Sequence, residues 1–197
     1  MQTFLFFILP FKKGARLYTE RKVIAMLKNS SFLDMLIWNL ILVAVWHLVF
    51  FLACQKLPDS TFDESRACYS PRDWEHGGRW YRDNLKIQFW KDRLPQHIGK
   101  EGFSKRHLNS DSIEYLDQFI METCRGEWLH LKDCLCPIIL LFINPLLVGI
   151  VVSLFVLAAN LPFAAVQRYN RFRLLVLRKK RMRDIRSGRL EQNVVTA

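Results

Sequence analysis

Glu122-Thr-Cys-Arg-Gly-Glu-Trp-Leu-His130 closes a helical pattern and leads, three residues later, into Cys134 to Val166, 33 residues without a formal charge. The chain comes out of that run at Gln167-Arg-Tyr-Asn-Arg171, so two clusters of ionisable and amide side chains bracket an apolar stretch. As one straight helix the stretch would measure about 50 Å. That is too long for one perpendicular crossing of a hydrocarbon core of about 30 Å and short for two crossings with a turn. Pro137, Asn144-Pro145, Gly149 and Pro162 mark bends. Two readings remain open: one crossing with a bent lead-in, or a tight helical hairpin turning near Asn144-Pro145. The charges favour one crossing, because both cationic ends then lie on the cytoplasmic side. The chemistry favours the hairpin, which alone brings the two polar clusters to one membrane face, and the hairpin is preferred here.

Working outward, Phe32 to Cys54 forms a second apolar run of 23 residues, about 34 Å as a helix and long enough to cross. Asp34 lies near its start within reach of interfacial water, and Asn39 and His47 are expected to face protein. The net charge of +11 is unevenly spread. Residues 1–31 carry six Lys/Arg against Glu20, residues 55–133 carry thirteen basic against fourteen acidic, and residues 168–197 carry ten basic against two. Cationic ends beside apolar spans are explained by retention of Lys/Arg on the cytoplasmic side, so nucleic acid is not expected as a partner. Thr3 to Leu9 is apolar but its positive charges follow it, which is not the order of a secretory signal.

Leu57-Pro-Asp59 ends the first helix, the chain is loop-like to Pro71, and Glu75-His-Gly-Gly78 is a turn. Between Arg79 and Leu94, Trp80, Tyr81, Leu85, Phe89 and Trp90 fall near one side of a helix, as in a segment lying at a membrane interface. Gln96 to Ser104 reads as a loop. Ser110 to Glu114 offers capping residues, Asp111 and Glu114 at capping-box spacing. Ile113, Leu116, Ile120 and Cys124 then form an apolar stripe at helical period. The fold class is all-α: an integral membrane protein with two or three transmembrane helices and an interfacial helical middle region.

On the same helix Glu127 and His130 stand three residues apart, the spacing of a carboxylate that orients an imidazole as general base; Glu122 and Arg125 pair likewise. Arg168 and Arg171 beside Asn170 offer guanidinium forks suited to phosphate. The five cysteines have no metal spacing and read as small buried hydrophobes. A metal would have Glu75 and His76 as extra ligands, and the further carboxylates of a di-iron bundle are missing, so no metal and no cofactor is expected. Gly-rich phosphate loops, nucleophile elbows and zinc-hydrolase motifs are also missing from the sequence.

Leu57-Pro-Asp59, Glu75-His-Gly77, Trp90-Lys-Asp-Arg-Leu-Pro95, Phe103-Ser-Lys105, Glu122 to Glu127 with His130, and Ala159-Asn-Leu-Pro162 followed by Gln167 to Arg171 together resemble the glycosyl-4,4′-diaponeurosporenoate acyltransferase family. The resemblance runs from Leu57 to Arg173, with Leu131 departing from an expected Trp. It implies fatty-acyl transfer from an activated donor to a sugar hydroxyl of a membrane glycolipid, such as a glycosylated carotenoid. His130 and Glu127 are then the expected catalytic pair. Glu122, Arg125, Asn160, Gln167, Arg168, Asn170, Arg171 and His76 are expected to bind substrate, the arginines taking the donor's phosphate or the developing oxyanion. Expected partners are membrane lipid, the glycolipid acceptor and the acyl donor, in the cell membrane as a multi-pass protein. The alternative is a non-catalytic membrane adaptor of a lipid or pigment biosynthetic complex.

Overall fold

The structure, a computed structural model, describes residues 31–94 and 112–195, without the side chains of Phe32 and residues 189–195. The expectations for Thr3 to Leu9, the loop from Gln96 to Ser104, and Asp111 lie outside the described residues. Among the described residues every regular element is helical: α1 (Phe32–Lys56), α2 (Arg79–Asn84), α3 (Ile113–Asp133), α4 (Cys136–Ile143) and α5 (Leu146–Val195), with short 3-10 turns between α1 and α2 and after α2. Two of these, α1 and α5, contain stretches long and apolar enough to cross a membrane. The chain divides into two compact units, Met1–Trp46 with Leu135–Val156, and His47–Cys134 with Leu157–Ala197.

In the first unit, the Ser31 hydroxyl and N–H both meet the Asp34 carboxylate, and the Asp34 N–H returns to Ser31 Oγ. Ser31 is therefore the N-cap of α1 and Asp34 its reciprocal partner, which is why a charge stands at the head of an apolar run. Pro137 sits in the first turn of α4, where a missing N–H costs nothing. Asn144, ahead of Pro145, is extended at φ −100° and ψ 160° and ends α4 after eight residues. The chain then doubles back. Ser153 Oγ donates to the Pro137 carbonyl at 3.4 Å, and a Cβ on Gly149 would stand 3.1 Å from the Leu140 carbonyl oxygen and 3.2 Å from Leu141 Cα. Glycine is what lets the two helices approach.

Within the first unit these contacts fold α4 and the start of α5 back on each other at Asn144-Pro145. Gly149 and Pro162 both lie inside the continuous α5, so neither ends a helix. The turn is tied to α1 by a reciprocal amide pair. Asn39 and Asn144 each donate Nδ2 to the other's Oδ1 at 2.8 Å and send a second N–H to the carbonyls of Met35 and Leu140. Asn39 faces protein, as expected, with both polar atoms satisfied.

In the second unit, Leu116, Phe119 and Ile120 of α3 pack against Leu174 of α5. Cys54 and Phe62 pack against Tyr69 and Cys124, and Phe50 and Phe62 both meet the Trp128 ring edge-on. The cap of α3 is Ser112, whose Oγ accepts the Tyr115 N–H at 3.3 Å. The expected helix from Arg79 to Leu94 is corrected. Helix α2 stops at Asn84, Lys86 takes a left-handed φ of 50°, and two 3-10 turns follow. That reversal splits the aromatic row: Tyr81 and Ile87 go inward against Phe172, whereas Leu85 and Phe89 stay exposed.

Candidate active site

Helix α3 is amphipathic, yet its buried face carries Glu122, Arg125 and Glu127. Charges taken out of water must be paired and hydrogen-bonded. Arg125 donates Nε to Glu122 Oε1 at 3.2 Å, Nη1 to the Cys54 carbonyl at 2.8 Å and Nη2 to Asp59 Oδ1 at 2.7 Å, with its guanidinium 4.4 Å from the Phe62 ring centre. That group joins the end of α1, the following 3-10 turn and α3. The sequence pair Glu122 and Arg125 is real, but it is a strut.

A second network links α3 and α5. Arg171, 2% exposed, donates Nη2 to Glu127 Oε2 and Nη1 to Cys124 Sγ, the latter at 3.2 Å. Glu127 Oε1 lies 3.6 Å from Arg168 Nη1. Arg168 grips fully buried Glu75 through Nε to Oε1 at 2.7 Å and Nη2 to Oε2 at 2.8 Å, and gives its remaining N–H groups to the carbonyls of Cys68, Tyr69 and Ser70. All five guanidinium donors are thereby used. Glu75 also accepts from the Tyr81 hydroxyl at 2.7 Å and the Arg72 N–H at 2.8 Å. Burial by itself would raise the Glu75 carboxyl; the hydrogen bonds from Arg168, Tyr81 and Arg72 outweigh it and hold the group below the usual carboxylate range. Burial, followed by the bond to Glu75, raises the Tyr81 hydroxyl.

Glu75 reaches this position because the turn after it is left-handed, at φ 47° for His76, 67° for Gly77 and 91° for Gly78. A Cβ on Gly78 would stand 3.0 Å from Phe172 Cβ, so glycine is demanded there twice over.

His130, near the end of α3, is half-buried. Its Nδ1 lies 3.0 Å from Asn160 Oδ1, and its ring stacks on Phe163 at 4.9 Å between centres and 23° between planes. A carboxamide oxygen only accepts, so Nδ1 carries the proton and Nε2 is the basic atom. His130 and Asn160 stand fifteen residues to either side of Pro145, as Pro137 and Ser153 stand eight to either side. The antiparallel return is what makes them mates.

The structure thus brings both sequence clusters together and redistributes their roles. The expected pairing of Glu127 with His130 is corrected: the Glu127 carboxylate lies against Arg171 and Arg168, because in a buried site a guanidinium compensates a carboxylate more fully than an imidazole does. The His130 ring meets Asn160 instead. Arg125, Arg168 and Arg171, expected to bind phosphate or an oxyanion, are buried and turned to protein partners. Gln167 lies on Gly126, where a Cβ would stand 2.9 Å from Gln167 Cδ. Asn170 is half-buried. The His76 side chain is exposed, and its carbonyl accepts from Arg79 Nε at 3.3 Å. Sequence reasoning missed Glu75 as the centre of the network, Tyr81 as its second donor and Asp133 as a partner for His47; the two glycines after Glu75 were the available signal. Among the described residues no group of three or more His, Cys, Asp or Glu could hold a metal ion.

The fold is all-α, with two helices of membrane-crossing length. Residues 65–180, more than half of the chain, match the family of glycosyl-4,4′-diaponeurosporenoate acyltransferases, and the chain belongs to that family. It is an acyltransferase. The glycosyl-4,4′-diaponeurosporenoate acyltransferase of Staphylococcus aureus strain MRSA252 is 27% identical over 124 residues, 62% of this chain and 74% of the relative. The proteins of that name from strains bovine RF122 / ET3-1 and USA300 match over the same shares. No solved structure matches the chain.

Proposed function

We propose that this acyltransferase, a multi-pass protein of the cell membrane, moves a fatty acyl group from an activated donor onto a sugar hydroxyl of a membrane glycolipid. A glycosylated carotenoid is the acceptor that the names of its relatives point to. His130 Nε2 takes the proton of the sugar hydroxyl as its oxygen attacks the acyl carbonyl. Asn160 and Phe163 fix the ring. Gln167 and Asn170 are the polar side chains proposed to meet the sugar. Glu127 with Arg168 and Arg171 holds α3 and α5 in register, and Glu122 with Arg125 ties α3 to the end of α1.

The single observation that carries this reading is the His130 to Asn160 hydrogen bond. It sets one tautomer on a ring that is half-buried between helices leading into apolar runs. Fatty-acyl donor, alkyl glucoside and purified protein should yield acylated glucoside, and lipid extracts of producing cells should contain an acylated glycolipid absent from cells without the protein. His130→Ala should reduce turnover by about 100-fold or more, the scale of a lost general base, while folded yield is unchanged. Full turnover in that variant would remove His130 from the chemistry.

A further inference from the structure

Acyl transfer moves protons twice, once off the acceptor hydroxyl and once onto the atom that leaves the donor. His130 serves the first. A second imidazole with a fixed tautomer lies on α1: His47 Nδ1 is 2.7 Å from Asp133 Oδ2, so Nδ1–H donates to the carboxylate and Nε2 points away from it. The ring packs beside Phe51 and is 51% exposed, whereas the Asp133 side chain is 4% exposed. Asp133 Oδ1 is buried with no hydrogen-bond partner among the described residues. An ionisable residue such as His47 on a helix of membrane-crossing length is costly to keep and marks function by default.

The two histidines have chemically different partners. Asn160 orients His130 without adding a formal charge. Asp133 takes His47 Nδ1 with a carboxylate oxygen and leaves Nε2 turned away from it. Two like groups placed in unlike surroundings divide acid and base roles between them. Asp133 and His130 are also three residues apart on α3, adjacent positions on one helical face.

We propose that His47, held by Asp133, is a second catalytic residue: the general acid that protonates the leaving atom of the acyl donor. The proposal rests on the acyl-transfer reading above. The acceptor O–H bond breaks with its proton going to His130 Nε2, and the acceptor oxygen bonds to the acyl carbon. The bond from that carbon to the donor's oxygen or sulfur then breaks. The departing electron pair takes the proton from His47 Nε2. One proton passing from His130 to His47 through solvent restores both.

A general acid matters in proportion to the basicity of what leaves. Wild type, His47→Gln and Asp133→Asn would be compared on an alkyl glucoside acceptor with three donors of one fatty acid: a phosphatidylcholine, the coenzyme A thioester and the p-nitrophenyl ester, whose phenolate leaves without a proton. Among donors that the wild type uses, both variants should lose most with the most basic leaving group, by about 100-fold, and little with the p-nitrophenyl ester. Each ratio is taken within one preparation, so a poorly folding variant still reports, and Asp133→Asn keeps the shape of the site if His47→Gln does not fold. Equal losses with every donor, or no loss, would overturn the acid assignment. A wild type inactive with all three would instead overturn the acyl-transfer reading, and the acid assignment with it.

Discussion

Cys124 and Cys68 show how far the surroundings of one atom decide its chemistry. Cys124 is fully buried beneath Arg171, and burial pushes its thiol up to about 11 although the guanidinium pulls the other way. Cys68 is exposed. A hydrophilic maleimide at neutral pH should therefore label Cys68 in the folded protein and reach Cys124 only after unfolding, as read by peptide mass spectrometry. Fast labelling of Cys124 in folded protein would mean that the interface of α3 with α5 is open. Arg168 is a parallel case: a side chain that looks like a phosphate clamp in sequence has its five donors committed to Glu75 and three carbonyls.

Among the elements, the hairpin of α4 and the start of α5 depends on one pre-proline residue. Asn144 is held extended by Pro145, and its amide is then the group that meets Asn39 on α1. Replacing either asparagine by Ala leaves the partner amide buried without its mate, a loss of about 1–3 kcal/mol. Replacing both by Leu should cost clearly less than the two single losses together, because no amide is then orphaned. Thermal unfolding in detergent reads this directly, and strictly additive losses would show that the pair does not couple α1 to the turn. Helix α2 gives the opposite lesson. Its apolar residues recur at helical spacing through Trp90, yet Lys86 reverses the backbone and the spacing ceases to describe a face.

For the whole molecule, the network around Glu75 makes stability depend on pH in a stated direction. The folded Glu75 carboxyl lies below the ordinary carboxylate range, so its contribution is complete above that range and is lost as the pH falls through the lower folded value. Glu75→Gln should flatten the acid limb of the unfolding profile. At neutral pH it should also cost about 3–5 kcal/mol, because Arg168 is left buried without its carboxylate. An unchanged acid limb would place the pH response elsewhere. The sequence by itself determined the all-α class, the apolar run of α1, a break at Asn144-Pro145 and the identity of the two polar clusters. Those follow from local periodicity, from the steric demand of proline and from the exclusion of charge from apolar helices. Only the tertiary structure decided who pairs with whom. Spacing allowed Glu127 to reach His130, but once α5 returned along α3 the carboxylate met a guanidinium 44 residues away and the imidazole met an amide 30 residues away. His47 found its carboxylate across 86 residues. Which of several possible partners a buried charge takes depends on what the returning chain places beside it, and helical period holds no record of that.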